Sequence, residues 1–119
     1  MTETIEILVD PADPASLDGL ADRILEGISD GLVEFGEDVA ESARDQAPLR
    51  SGALAGSITF RSADPLEGHV GSPLEYASVI EFGSSTTEPQ PFMLPALEDN
   101  EPRFGIVMAD AIRSTTGGI

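Results

Sequence analysis

Between Leu17 and Ala47 an apolar side chain recurs every three or four positions, at Leu17, Leu20, Ile24, Ile28, Leu32, Phe35, Val39 and Ala43. Asp22, Glu26, Asp30, Glu37, Glu41 and Arg44 fall on the opposite side. Such spacing brings residues to one side of a helix, so the stretch predicts a single long amphipathic helix with one face for a core and one for solvent. Pro48 sets its end, because the residue before a proline is biased out of the helical region. So long a helix constrains everything else, since the remaining segments must cover its apolar stripe. At 119 residues and 40% apolar composition, the chain can build one core but not two, and one domain over residues 1–119 is expected.

The segments around the helix read as a mixture. Thr4 to Asp10 alternates, with Ile5, Ile7 and Val9 on one side, and predicts a first strand, followed by a linker in which Asp13 and Ser16 are candidate caps. After Pro48, Ser51-Gly52 turns the chain. Ser57 to Arg61 predicts a strand, Ala63 to Leu66 a turn, and Glu67 to Gly71 a returning strand, so a hairpin is expected. Tyr76 to Phe82 fits helical spacing at Tyr76, Val79 and Ile80. Ser84 to Gln90 predicts a mobile loop, and Pro95-Ala96-Leu97 a short helical turn. Asn100-Glu101-Pro102 could cap a last helix with the face Phe104, Val107, Met108, Ala111 and Ile112, and Ser114 to Ile119 should fray. The fold class expected is α+β: a long N-terminal helix packed on a small antiparallel sheet, with a C-terminal helix. Gly27 and Gly31, with Gly19 and Gly36, each cost about 1 kcal/mol relative to alanine inside a helix. They point to a close approach of another element, to a bend, or to a helix held by burial in spite of them.

Charge is the other strong feature. Six basic residues, all arginine, stand against 22 acidic ones, for a net charge of -16. At an ordinary lysine usage of roughly 6%, about seven lysines would be expected, so their absence argues for selection. Carboxylate excess with lysine loss is the surface chemistry of proteins that work in molar salt, where the Debye length falls to about 3 Å and self-repulsion is screened. A haloarchaeal host, or a virus of one, is the source this predicts; an ordinary acidic protein is the plainer alternative. Counterion release needs cations against phosphates, so no specific nucleic-acid binding is expected. There is no cysteine, hence no disulfide or thiolate metal site. No stretch approaches the roughly 20 apolar residues that span a bilayer, and Met1-Thr2-Glu3-Thr4 lacks the basic start of a signal peptide. A soluble chain made in the host cytoplasm, without membrane partners, is expected.

Chemistry is hard to find. His69 is the only histidine and sits between glycines in a predicted strand, with too many serines to nominate a nucleophile. No phosphate loop, dinucleotide fingerprint or paired-histidine motif occurs, and Asp10, Asp13 and Asp18 lack the spacing of a calcium loop. Catalytic, cofactor and metal residues are therefore expected to be none. Docking is better supported. Pro89-Gln90-Pro91-Phe92-Met93-Leu94-Pro95-Ala96-Leu97 carries apolar bulk on a stiffened backbone, and prolines lower the entropy lost on binding. Glu81, Phe82, Pro91, Phe92, Met93 and Val33 are the candidate partner interface, with two roles open for Phe92: an anchor for a partner, or a plug in its own core. Tyr76 and Phe82 are also candidates for the core, with Glu81 as an outward polar contact.

In order along the chain stand Ala47-Pro48, Ser51-Gly52-Ala53-Leu54, Ser57-Ile58, Tyr76-Ala77, Glu81-Phe82-Gly83, Pro91-Phe92 and Pro95-Ala96-Leu97. This series, covering Ala43 to Leu97, resembles the head-tail joining proteins of tailed bacteriophages, a tail-component family named after a Hong Kong coliphage related to lambda. The chain departs from the usual pattern where Leu49-Arg50-Ser51-Gly52 replaces Val-x-Thr-Gly and where Ser84, not Thr, follows Phe82-Gly83; both changes keep size or a hydroxyl. The resemblance implies a non-enzymatic virion subunit at the head-tail junction, in a neck or tail-completion role. It implies a cyclic ring of about six or twelve copies, meeting portal-side adaptor or stopper proteins and tail-side terminator or tube proteins while DNA passes the lumen. The rival reading is a non-viral, salt-adapted protein-interaction module; a small hydrolase using His69 ranks third.

Overall fold

The computed structural model of the protein describes residues 17–48 and 52–117. The strand expected over Thr4–Asp10, the linker caps Asp13 and Ser16, and Ser51 of the Ser51-Gly52 turn lie outside the described residues. Helix α1 runs from Leu17 to Gln46, as the periodicity predicts, and stops just ahead of Pro48. Two short pieces follow: α2 (Ala53–Ser57), then the antiparallel hairpin of β1 (Thr59–Asp64) and β2 (Glu67–Gly71). Helices α3 (Ala77–Phe82) and α4 (Met93–Asn100), a 3-10 turn over Glu101–Arg103 and helix α5 (Phe104–Thr116) complete the described chain. This is the expected α+β arrangement, a long N-terminal helix with a small antiparallel sheet and a C-terminal helix.

Helices α2, α4 and α5 and the hairpin all pack on α1, and glycine decides two of the contacts. A Cβ on Gly27 would lie 2.5 Å from Thr115 Oγ1 and 2.6 Å from Ile112 Cα, and one on Gly31 would lie 2.7 Å from Met108 Sδ. The glycines therefore mark close approach of α5, the first of the readings left open by sequence. The Phe60 ring fills the space where a side chain at Gly36 or Gly68 would go, which seats the hairpin on α1. Further along, Val39, Ala40, Ala43 and Ala47 meet Leu54, Ile58, Phe92 and Ala96 in the main buried cluster. Phe35 and Phe104 stack edge to face with centroids 5.0 Å apart, tying α1 to the start of α5.

Several local expectations are corrected. Ser57 ends a helix instead of opening a strand, because Gly52 takes φ 74° and lets α2 form at once. The helix expected at Pro95-Ala96-Leu97 starts two residues earlier and reaches Asn100. Asn100 caps nothing with its side chain: its amide donates to Ser42 Oγ and to the Ala96 carbonyl, both at 2.8 Å, joining α4 to α1. The predicted fraying after Ser114 does not occur as far as Thr116, since Thr115 Oγ1 donates to the Arg23 carbonyl at 2.6 Å and Thr116 is buried. At the other end, Leu17 of the predicted core stripe is exposed. Among the described residues no helix is long and apolar enough to cross a membrane.

Candidate functional site

The segment from α3 to α4 is organised by one carboxylate. Helix α3 ends at Gly83 (φ 77°), whose N–H donates to the Val79 carbonyl at 2.7 Å; a Cβ there would press on the Thr87 carbonyl and Pro89. The loop expected to be mobile is tied at both ends, by Ser84 N–H to the Thr87 carbonyl (2.8 Å) and Gln90 N–H to the Ile80 carbonyl (2.7 Å). These bonds bring the chain back past Glu81, only 8% exposed. Its Oε1 accepts the N–H of Phe92 at 3.0 Å and of Met93 at 2.8 Å, and its Oε2 accepts that of Leu94 at 3.3 Å. Helix α4 begins at Met93, and its N-cap residue Phe92 gives no side-chain cap of its own. Glu81 therefore supplies the cap from a distance, placing negative charge where the orphan donors and the helix dipole favour it.

Glu81, expected as an outward polar contact, is buried, and Tyr76 and Phe82 are exposed instead of taking the core positions open to them; exposure agrees with the other reading of Phe82, as an interface candidate. On a helical turn adjacent residues point about 100° apart, and α3 turns Glu81 toward the amides of residues 92–94. This leaves Phe82 79% exposed and Tyr76 45% exposed. Phe92, at 1%, is among the most deeply buried side chains and takes the plug role. Of the remaining interface candidates, Pro91 and Val33 are exposed and Met93 is half-buried.

Beside Phe82 lies an apolar groove of about 470 Å³, floored by Phe35, Gly36, Val39, Phe60 and Val70 and walled by Met93, Leu94 and Leu97. Leu94 and Leu97 stay substantially exposed along its wall. The hairpin, α1 and α4 therefore frame one open apolar surface, with Phe82 at its rim. The sequence singles out Phe82 and Met93; Leu94 and Leu97 fall in the docking stretch but are not named as contact residues. Their signal, apolar residues flanking the buried Ala96 on a short helix, is the same one that a core helix gives.

His69 makes no catalytic constellation among the described residues. It is an exposed strand residue with Nε2 3.5 Å from Glu67 Oε1. No group of three or more metal-ligating side chains gathers among the described residues.

The fold is that of a small α+β protein with an open apolar surface between α1, the hairpin and α4. The chain matches over residues 14–83 the family described as "Bacteriophage HK97-gp10, putative tail-component". That span is more than half of its length, and the chain belongs to this family of phage tail components. It takes in α1 through α3 and ends at Gly83, short of the Pro91–Leu97 part of the motif series. No curated protein and no solved structure matched the chain.

Proposed function

We propose that this protein is a one-domain structural subunit of the head-tail connector of a tailed virus, in a neck or tail-completion role, and that it works by assembly without catalysis. Copies close into a ring of about six or twelve, the orders natural beside a connector of that symmetry. One rim meets portal-side adaptor or stopper proteins and the other meets tail-side terminator or tube proteins, with the genome passing through the lumen. Family membership supports the virion setting. The observation that carries the assembly role is Phe82, held in the open at the rim of the apolar groove while its neighbour Glu81 fixes the α3–α4 corner from inside. An exposed aromatic on a rigid support suits an interface anchor, since little conformational entropy remains to be lost on docking. Phe82, Pro91, Met93 and Val33 supply contact area in this reading, and Glu81 and Phe92 position it.

The host is halophilic in this reading. Its support is the charge pattern, 22 carboxylates and six arginines without a lysine, which suits a surface that holds hydrated cations in molar salt.

Quantitative mass spectrometry of gradient-purified tailed particles tests the assignment. A low, fixed copy number of about six or twelve per particle is expected. Absence from particles would overturn the connector role and favour a cellular, salt-adapted interaction module.

A further inference from the structure

In a chain this acidic, the placement of each cation matters to how copies can meet. Arg44 donates to the Ile58 carbonyl at 2.9 Å, Arg103 lies 3.9 Å from Asp38, and Arg113 lies 3.1 Å from Asp110. Arg23 is likewise engaged. Among the described residues, the side chain of Arg61 finds no hydrogen-bond or ion-pair partner. It is paired in register with His69 across the hairpin. Their strand neighbours Phe60 and Val70 pack inward, so alternation turns Arg61 and His69 to the outer face. There they line a hollow of about 320 Å³ with Thr59, Gly71, Ser72 and Pro73. The Glu67 carboxylate is 3.5 Å from His69 Nε2 and leaves the Arg61 guanidinium unengaged.

A complementary surface lies on α1. Glu26, Asp30, Glu34, Glu37 and Glu41 are exposed and recur at three- and four-residue spacing, forming one carboxylate ridge along the solvent side of α1. Val33 is exposed at its edge, between Asp30 and Glu37. We propose that the hairpin's outer face binds the α1 ridge of a second copy of this chain, Arg61 seating between Asp30 and Glu37 with Val33 beneath. The two patches are different surfaces of one subunit, so the contact is head-to-tail and repeats around a ring. A contact that set ridge against ridge would bring like charges together and be disfavoured.

This inference rests on the ring reading above, and the test separates the two. Full-length protein is compared by sedimentation and native mass spectrometry, in the lowest salt that preserves its helical circular dichroism. Arg61→Glu should weaken self-association by roughly tenfold or more, and combining it with Asp30→Arg and Glu37→Arg should restore the ring. Because Arg61 is exposed, Arg61→Glu should keep the wild-type spectrum. Rings that form equally well with Arg61→Glu would overturn the inference and leave the ring reading standing. Failure of the swapped charges to restore assembly would overturn the ridge as the partner. A wild-type chain that stays monomeric would overturn both. If Arg61→Glu spares assembly but abolishes retention of a short DNA duplex, the hollow takes a phosphate instead of a second copy.

Discussion

Glu81 and Met93 meet through a 2.8 Å hydrogen bond in which a buried carboxylate accepts the first backbone N–H of α4. The bonds to Phe92 and Leu94 beside it make one side chain the cap of a helix that begins twelve residues later in the sequence. The groove wall, and the outward turn of Phe82, both depend on that link.

Glu81→Ala should therefore cost about 2 to 3 kcal/mol, since it strips an ionised acceptor from N–H groups that are poorly placed to find water. Glu81→Gln keeps one acceptor oxygen and should cost less. Urea unfolding followed by circular dichroism ranks the two, and equal stability of the alanine variant and the wild type would dismiss the capping role.

Phe92 and Phe82 should respond in opposite ways. Phe92→Ala empties the core and should cost about 3 to 5 kcal/mol. Phe82→Ala, at an exposed site, should change stability by less than about 0.5 kcal/mol yet lower incorporation into particles. Full incorporation of Phe82→Ala into tailed particles would remove the groove rim from the interface.

Glycine in α1 should be intolerant of substitution where α5 crosses it. Gly27→Ala brings a Cβ against the Ile112 backbone and should destabilise by about 1 to 3 kcal/mol despite the better helix propensity of alanine. Gly105, in the first turn of α5, has open space within 4 Å of where a Cβ would sit, so Gly105→Ala should gain up to about 1 kcal/mol. Chemical unfolding of both variants tests whether close packing outweighs helix propensity where α5 crosses α1.

Salt should control the fold. With a net charge of -16, repulsion should reduce the helical signal near about 50 mM salt and molar salt should restore it, because screening shortens from roughly 10 Å at 0.1 M to about 3 Å at 1 M. A circular dichroism titration decides, and a fold that stays intact at the low end would refute salt adaptation.

Parts of the fold whose signal is local are legible in the chain without its partners. The three- and four-residue spacing from Leu20 to Ala43 and the stop at Pro48 define α1. Turn residues between Arg61 and Glu67 define the hairpin, and the motif series led to the family. Tertiary structure decided what depends on partners distant in the chain. Gly27 and Gly31 read equally well as a bend or a contact until α5 is seen crossing them. Glu81 turns inward and Phe82 outward because the orphan N–H groups of residues 92–94 attract the carboxylate, an attraction that no window around residue 81 contains. The groove is hidden for the same reason: its floor and walls come from α1, the hairpin and α4. Periodicity reports which face of an element is apolar; only packing reports which apolar residues are left uncovered.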